Sequence, residues 1–282
     1  MRFATPLPAR LFLALFCAAL ALALPPSARA GETGVTRLSL IAASRAHDGT
    51  PLLAGIDMAL AKGWKTYWRI PGDSGIAPVF DWSASQNVAG VELRWPAPRR
   101  FDDPGDITYG YKGGVIWPLR VVPENPSLPV MLRLAMHYGV CSNAVCVPRD
   151  ATLSLDLPAM PADWKMMETP AAPRLRAALA RVPVPPADAG VLTARWQADT
   201  APTLDIRYHG CGEGCATPAL IVEGPRNVWF GVPDVTREGR TVRYLVPVEV
   251  LSTAMLEGEE LTFVLAGADK AYVIRKRLAA GG

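Results

Sequence analysis

Residues 130–157 read Val-Met-Leu-Arg-Leu-Ala-Met-His-Tyr-Gly-Val-Cys-Ser-Asn-Ala-Val-Cys-Val-Pro-Arg-Asp-Ala-Thr-Leu-Ser-Leu-Asp-Leu. Leu132, Leu134, Met136 and Tyr138 alternate with Arg133, Ala135 and His137. A period of two is the mark of a β-strand with one buried face. Ser142 and Asn143 are turn formers between two cysteines, so Cys141 and Cys146 can fold back to disulfide distance. Beyond them, Ala151 to Leu157 reads as a further strand.

The same texture continues outward. Val35 to Leu40, Leu52 to Leu60, Trp64 to Ile70 and Val115 to Val122 mix β-branched, aromatic and aliphatic residues between turn signals. The 27 prolines and 24 glycines interrupt the chain too often for long helices. After Leu157 the character changes. Pro158, Pro161 and Pro170 bracket a linker, with Thr169-Pro170 as the expected N-cap and first residue of a helix. Leu175 to Val182 is the one helical stretch, ended by Pro183, Pro185 and Pro186. Strands resume at Val191 to Trp196, Leu204 to Tyr208, Ala219 to Val222, Val242 to Val250, Leu261 to Leu265 and Ala271 to Ile274. Pro247 predicts an edge position or a break. The expected fold is all-β, an immunoglobulin-like β-sandwich followed by a second, smaller one. Its expected divisions are 31–158 for the first sandwich, 159–188 for the linker with its short helix and 189–282 for the second.

The first thirty residues read as a cleavable signal peptide. Arg2 and Arg10 precede the uncharged run Leu11 to Leu24, and Ala28-Arg29-Ala30 is a small-x-small cleavage site. Cys17 would leave with it. No later stretch is apolar enough for a membrane helix. Cleavage would remove Arg2, Arg10 and Arg29 and no acid, taking the 29 basic residues to 26 against 26 acidic ones. A neutral balance argues against binding nucleic acid or a membrane surface through bulk charge.

Four cysteines then enter an oxidising compartment, where disulfides persist. Three pairings are open, and the spacing favours two local ones, Cys141 with Cys146 and Cys211 with Cys215. Closing the first loop stabilises the fold by about 2 kcal/mol in the chain-entropy model, whereas linking Cys141 to Cys211 would contribute about 4 kcal/mol. A pure staple gains more from the long pairing. Short loops also have higher reduction potentials, which suits a bond that opens and closes. On spacing alone, a redox pair and a static staple stand about even.

The segments Gly63-Trp-Lys-Thr-Tyr-Trp-Arg-Ile-Pro-Gly-Asp73, Tyr109-Gly-Tyr-Lys-Gly113, Tyr138-Gly-Val-Cys141 and Cys146-Val-Pro148 tip that balance. In this order they resemble the N-terminal periplasmic domain of DsbD-type thiol:disulfide interchange reductases. The longer form, found in the suppressor-of-copper-sensitivity membrane reductases, is the nearer. The resemblance covers roughly Val35 to Leu157. It implies an immunoglobulin-like sandwich whose cysteine pair takes electrons from a membrane-embedded donor. The pair then passes them to periplasmic thioredoxin-fold proteins. It implies that Cys146 meets the partner and Cys141 resolves. It also implies a cap loop at Asp106 to Tyr109, with Thr108 where relatives carry a covering aromatic and Tyr109 or Tyr111 as the aromatics at hand. The chain shows neither membrane helices nor a thioredoxin domain, so the expected donor is a separate protein.

The chemistry needs two sulfurs and no cofactor. A thiolate attacks a disulfide, and the second thiol resolves the mixed disulfide. Cations lower a thiol pKa, and His137 and Arg149 are the sequence neighbours, though Arg149 reads as solvated. In Cys211-Gly-Glu-Gly-Cys215 the glycines permit a tight turn, and a stapled loop is favoured over a second redox pair. His137 and His209 precede cysteines, which raises copper or zinc, but His137 lies about 13 Å from Cys141 along an extended strand, and no metal site is assigned. His47 reads as a solvated loop residue, Asp73 as a turn former, and Trp64, Trp68, Trp82, Trp95 and Trp117 as core. The alternative function is a non-catalytic periplasmic binding module or metal-handling chaperone with both disulfides structural.

Overall fold

Alternation along the chain becomes eighteen strands and one helix among the described residues, which in this computed structural model are 34–103, 106–161, 165–188, 191–198, 201–212, 214–250, 256–267 and 270–278. The expected signal peptide, Cys17 and Glu213 lie outside them. In chain order the first ten strands are β1 (Val35–Ala42), β2 (Leu52–Leu60), β3 (Lys65–Gly72), β4 (Val79–Asp81), β5 (Val88–Leu93), β6 (Arg99–Asp103), β7 (Asp106–Lys112), β8 (Gly114–Pro123), β9 (Val130–Cys141) and β10 (Cys146–Leu157). They build two antiparallel sheets, ordered β1-β2-β8-β5 and β10-β9-β3-β7-β6, with β4 also pairing β9. Between them lies a core in which Ile56, Trp68, Trp117, Leu119, Leu132 and Leu134 are buried. Trp117 sits at its centre, edge-on to Phe80, Trp95 and Tyr111 at 5.8, 6.3 and 5.9 Å. The tryptophans therefore pack as core, as their sequence context implies.

The helix α1 (Ala172–Leu179) starts two residues after the Pro170 expected as its first residue and stops three residues short of Val182. Its N-cap residue, Ala171, makes no side-chain capping bond, and the proline of its first turn is Pro173 rather than Pro170. Thr169 instead donates its hydroxyl to the Ala42 carbonyl and accepts from the Ala171 amide. Eight residues are too few for a stable free helix. Packing holds this one: Leu175 is fully buried, worth about 2 kcal/mol, and it packs where Gly55 on β2 leaves room, 2.5 Å from where a Cβ would stand. Arg174 reaches the buried Asp57 carboxylate at 2.8 Å, and Arg37 grips the same group twice at 3.1 Å. His47 is also buried, against expectation: its Nε2 lies 2.9 Å from the Leu128 carbonyl, and its backbone joins Pro158 and Met160.

The second half supplies β11 (Leu192–Gln197), β12 (Thr203–Tyr208), β13 (Ala219–Glu223), β14 (Trp229–Phe230), β15 (Asp234–Glu238), β16 (Thr241–Glu249), β17 (Glu260–Ala266) and β18 (Ala271–Arg277). One sheet runs β11-β12-β16-β14 with β15 on β16, the other β13-β17-β18. Pro247 marks a change of neighbour: β15 pairs β16 up to Leu245, and β14 takes over from Val248. The residue without an amide hydrogen falls where the ladder switches. Buried Asp205 on β12 accepts two bonds from Arg243 and pairs with Arg207. Burial alone would raise its carboxyl pKa, but the bonds from the two arginines win and hold it below the usual carboxylate value.

The β13-β17-β18 sheet packs on both faces and exposes side chains only toward its Glu260 and Arg275–Arg277 end. Leu220, Phe263, Leu265 and Ile274 enter the second core, while Ile221, Val264 and Val273 join the first. Successive residues of a strand point to opposite faces, so one thin sheet serves both sandwiches. Gly34–Gly282 accordingly forms one compact unit. No helix among the described residues is long and apolar enough to cross a membrane.

Candidate functional site

β9 ends and β10 begins at the cysteines, which stand directly opposite each other in the ladder and are joined by a disulfide. The turn between them closes through the Ser142 amide on the Val145 carbonyl, while the Ser142 hydroxyl accepts from the Ala144 and Val145 amides. Ser142 is therefore the turn former its identity implies. The register puts both sulfurs on the outer face of the sandwich, opposite the face that buries Leu132, Leu134 and Met136. They are not equivalent. Cys141 is 1% exposed, whereas Cys146 is exposed.

Tyr67 accounts for the difference. β3 pairs with β9 so that Lys65 faces Cys141 across the ladder. Two residues on, and on the same face, Tyr67 donates its hydroxyl to Cys141 Sγ at 2.7 Å and lies 3.6 Å from Cys146 Sγ. The Tyr67 ring is itself buried under Gly75. Lys65 extends beside it: its Nζ donates to Thr108 Oγ1 at 2.8 Å and stands 5.1 Å from the Phe101 ring centre. Thr66, on the other face, donates to the Gly139 carbonyl at 2.8 Å and pins β3 to β9. Gly139 must lack a side chain because Ile76 packs 2.6 Å from where its Cβ would be.

The expected cap residues lie in β7, one strand of a hairpin with β6 rather than a free loop. Thr108 is fully buried and holds Lys65. Tyr111 turns into the core, where its hydroxyl donates to the Pro96 carbonyl and burial pushes its phenol pKa up. Tyr109 is half-buried and lines a cavity of about 260 Å³ against the second sandwich; burial raises its phenol pKa too. The aromatic side chain that the structure brings to the sulfurs is Tyr67. It lies within the Gly63–Asp73 motif, whose sequence alone does not reveal this contact. The signal was the shared face of Lys65 and Tyr67, which becomes useful once β3 is paired with β9.

The other candidates disperse. His137 bonds Asp150 across the ladder at 2.8 Å, four residues from Cys141. Arg149 is half-buried and lies on the strand face opposite Cys146. Asp73 is more than a turn former: its carboxylate accepts from the Ile107 amide at 2.8 Å and from Trp229 Nε1 at 3.0 Å. Cys211 and Cys215 are joined in a disulfide, with Gly214 at positive φ in the turn. Arg237 clamps that loop, donating to the Cys215, Gly212 and Gly239 carbonyls. His209 lies 3.0 Å from the Thr241 hydroxyl. No group of three or more metal-ligating side chains occurs among the described residues.

The first sandwich thus carries a cross-strand cysteine pair on its outer face. Residues 38–158 match the family described as thiol:disulfide interchange protein DsbD, N-terminal, and residues 181–281 match a domain of unknown function, DUF8393. The chain is similar to the crystal structure of the N-terminal periplasmic domain of ScsB from Proteus mirabilis. That match has 26% identity and a TM-score of 0.67, and covers 84% of this chain and 92% of that one. No curated protein matches the chain.

Proposed function

We propose that this chain is a periplasmic thiol:disulfide exchange protein that passes electrons through Cys141 and Cys146 to thioredoxin-fold partners. One observation carries the reading: a DsbD-type domain presents a disulfide between an exposed cysteine and a buried one whose sulfur accepts from a tyrosine hydroxyl. In the reduced pair, the Cys146 thiolate attacks the partner's disulfide and forms a mixed disulfide, and the partner's other sulfur leaves as a thiolate. Cys141 then attacks Cys146 Sγ, reforms the internal disulfide and releases the partner's second thiolate. Two electrons and two protons have passed to the partner. Tyr67 supports the resolving step, since a hydroxyl donor stabilises the Cys141 thiolate that must form.

The domain type also supports a membrane-embedded donor and export by the signal peptide at residues 1–30. The bond from Lys65 to Thr108 supports a covering role for the 106–109 segment, with Tyr67 as the aromatic over the sulfurs. The clamp of Arg237 on the Cys211–Cys215 loop favours a staple there.

The test is electron transfer itself. The reduced mature protein, mixed with an oxidised thioredoxin-fold protein, should yield one partner dithiol per Cys141–Cys146 disulfide formed, followed by mass after alkylation. A Cys146→Ser protein should yield none. Transfer that persists without Cys146, or its absence from the wild type with every partner tried, would count against the reading.

A further inference from the structure

Lys65 and Tyr67 share the outer face of β3 with the disulfide, and Arg69, beyond the register shift that follows Tyr67, stacks on the buried Trp68 ring at 4.0 Å and reaches the second sandwich. Lys65 stands across the ladder from Cys141, and Tyr67 bonds Cys141 Sγ. Arg69 forms a two-bond ion pair with Glu223 at the end of β13, at 2.5 and 3.3 Å, with both side chains partly buried. A second connection runs through the segment that follows β3. Gly72, at φ +89, passes so close to β7 that any side chain would strike the Ile107 carbonyl. Asp73 then exchanges backbone and side-chain bonds with Ile107 and accepts from Trp229 of β14. Ser74 donates to Asp106 at 2.5 Å. The next two residues reach the site, Gly75 against the Tyr67 ring and Ile76 against Gly139.

We propose that the second sandwich is a positioning element for the redox pair: Glu223 and Trp229 hold β3 and the 72–76 segment over Tyr67 and so set how readily Cys141–Cys146 opens. The proposal rests on the redox reading of that pair. It gives the domain of unknown function a role at a site to which it contributes no sulfur. Glu223 and Trp229 touch no reacting atom; they act through Arg69, Asp73 and Tyr67.

Two anchors of this kind break locally without emptying a core. Trp229→Phe keeps a ring and removes the Nε1 donor, and Glu223→Gln keeps the shape and removes the charge. The double variant of the mature chain is compared with wild type by amide hydrogen exchange of the oxidised protein and by the rate at which dithiothreitol opens each disulfide. Exchange across residues 66–76 should rise, and Cys141–Cys146 should open roughly fivefold faster, the rate equivalent of one hydrogen bond. Exchange in β1 and β2 and the opening of Cys211–Cys215 should not change. Unaltered exchange across 66–76 overturns the proposal, as does faster exchange with an unaltered opening rate. A Cys141–Cys146 bond that resists the dithiol in both proteins overturns the redox reading and this proposal with it. A reactive bond with equal rates in both overturns this proposal alone.

Discussion

A Cys141→Ser protein is expected to trap a thioredoxin-fold partner as a covalent complex through Cys146, and a Cys146→Ser protein to trap at least about tenfold less, a difference of about 1.4 kcal/mol in barrier. The asymmetry follows from access. A thiolate must approach the partner's disulfide in line, and exchange rates fall when the sulfur cannot be reached. Cys146 is exposed at the start of β10, two residues before Pro148, which has no amide hydrogen to commit to a neighbouring strand. Cys141 lies under the Tyr67 hydroxyl at the end of β9, with only 1% of its surface open. The family resemblance assigns the same roles, and burial is an independent physical reason for them. Non-reducing electrophoresis and mass spectrometry of the trapped complex decide the matter. Equal trapping by both variants would remove the assignment of roles while leaving the exchange chemistry in place.

Trp117→Ala is expected to cost about 3–5 kcal/mol, the range for truncating a large aromatic in a closed core. Trp117 is fully buried on β8 and meets Phe80, Trp95 and Tyr111 edge-on. Each aromatic pair adds about 0.5–1.5 kcal/mol beyond area burial, and all three lose their partner at once. The effect should not stop at the first sandwich, because Ile221 and Val264 of the second are embedded in the same core. Denaturant unfolding followed by far-ultraviolet circular dichroism should show one transition shifted as a whole. Two separated transitions, with the second sandwich unaffected, would contradict the shared core.

Those two cases mark what was legible in the sequence. The all-β class and the sandwich follow from β-formers set between turn signals, as at Leu52–Leu60, and the strand from Val130 onward follows from alternation, because it buries one face. The β6–β7 hairpin escaped because Arg99-Arg-Phe-Asp-Asp103 carries charge on both faces and offers no period. β4 and β14 escaped because three and two residues are too short to carry a pattern. The helix was displaced because Thr169 looked like a cap, whereas its hydroxyl answers the Ala42 carbonyl, a contact far away in sequence. His47 looked solvated beside Asp48 for the same reason: its cover comes from Leu128 and Pro158. The sulfurs were legible from spacing and motif. The hydroxyl on Cys141 was not, because Tyr67 reaches it only through the pairing of β3 with β9. The contact between sandwiches was hidden too, since a strand buried on both faces looks apolar throughout and names neither neighbour.

The reduction potential of Cys141–Cys146 in the purified mature chain is the most direct test, measured by equilibrating it with dithiol buffers of known potential and counting alkylated cysteines at these two positions by mass. Structural disulfides of exported proteins have potentials below about −300 mV. The exchange reading predicts a value above that limit, with Cys141–Cys146 opening while Cys211–Cys215 stays closed. A value below it, with both disulfides resisting together, would contradict the account and leave two staples in a binding module.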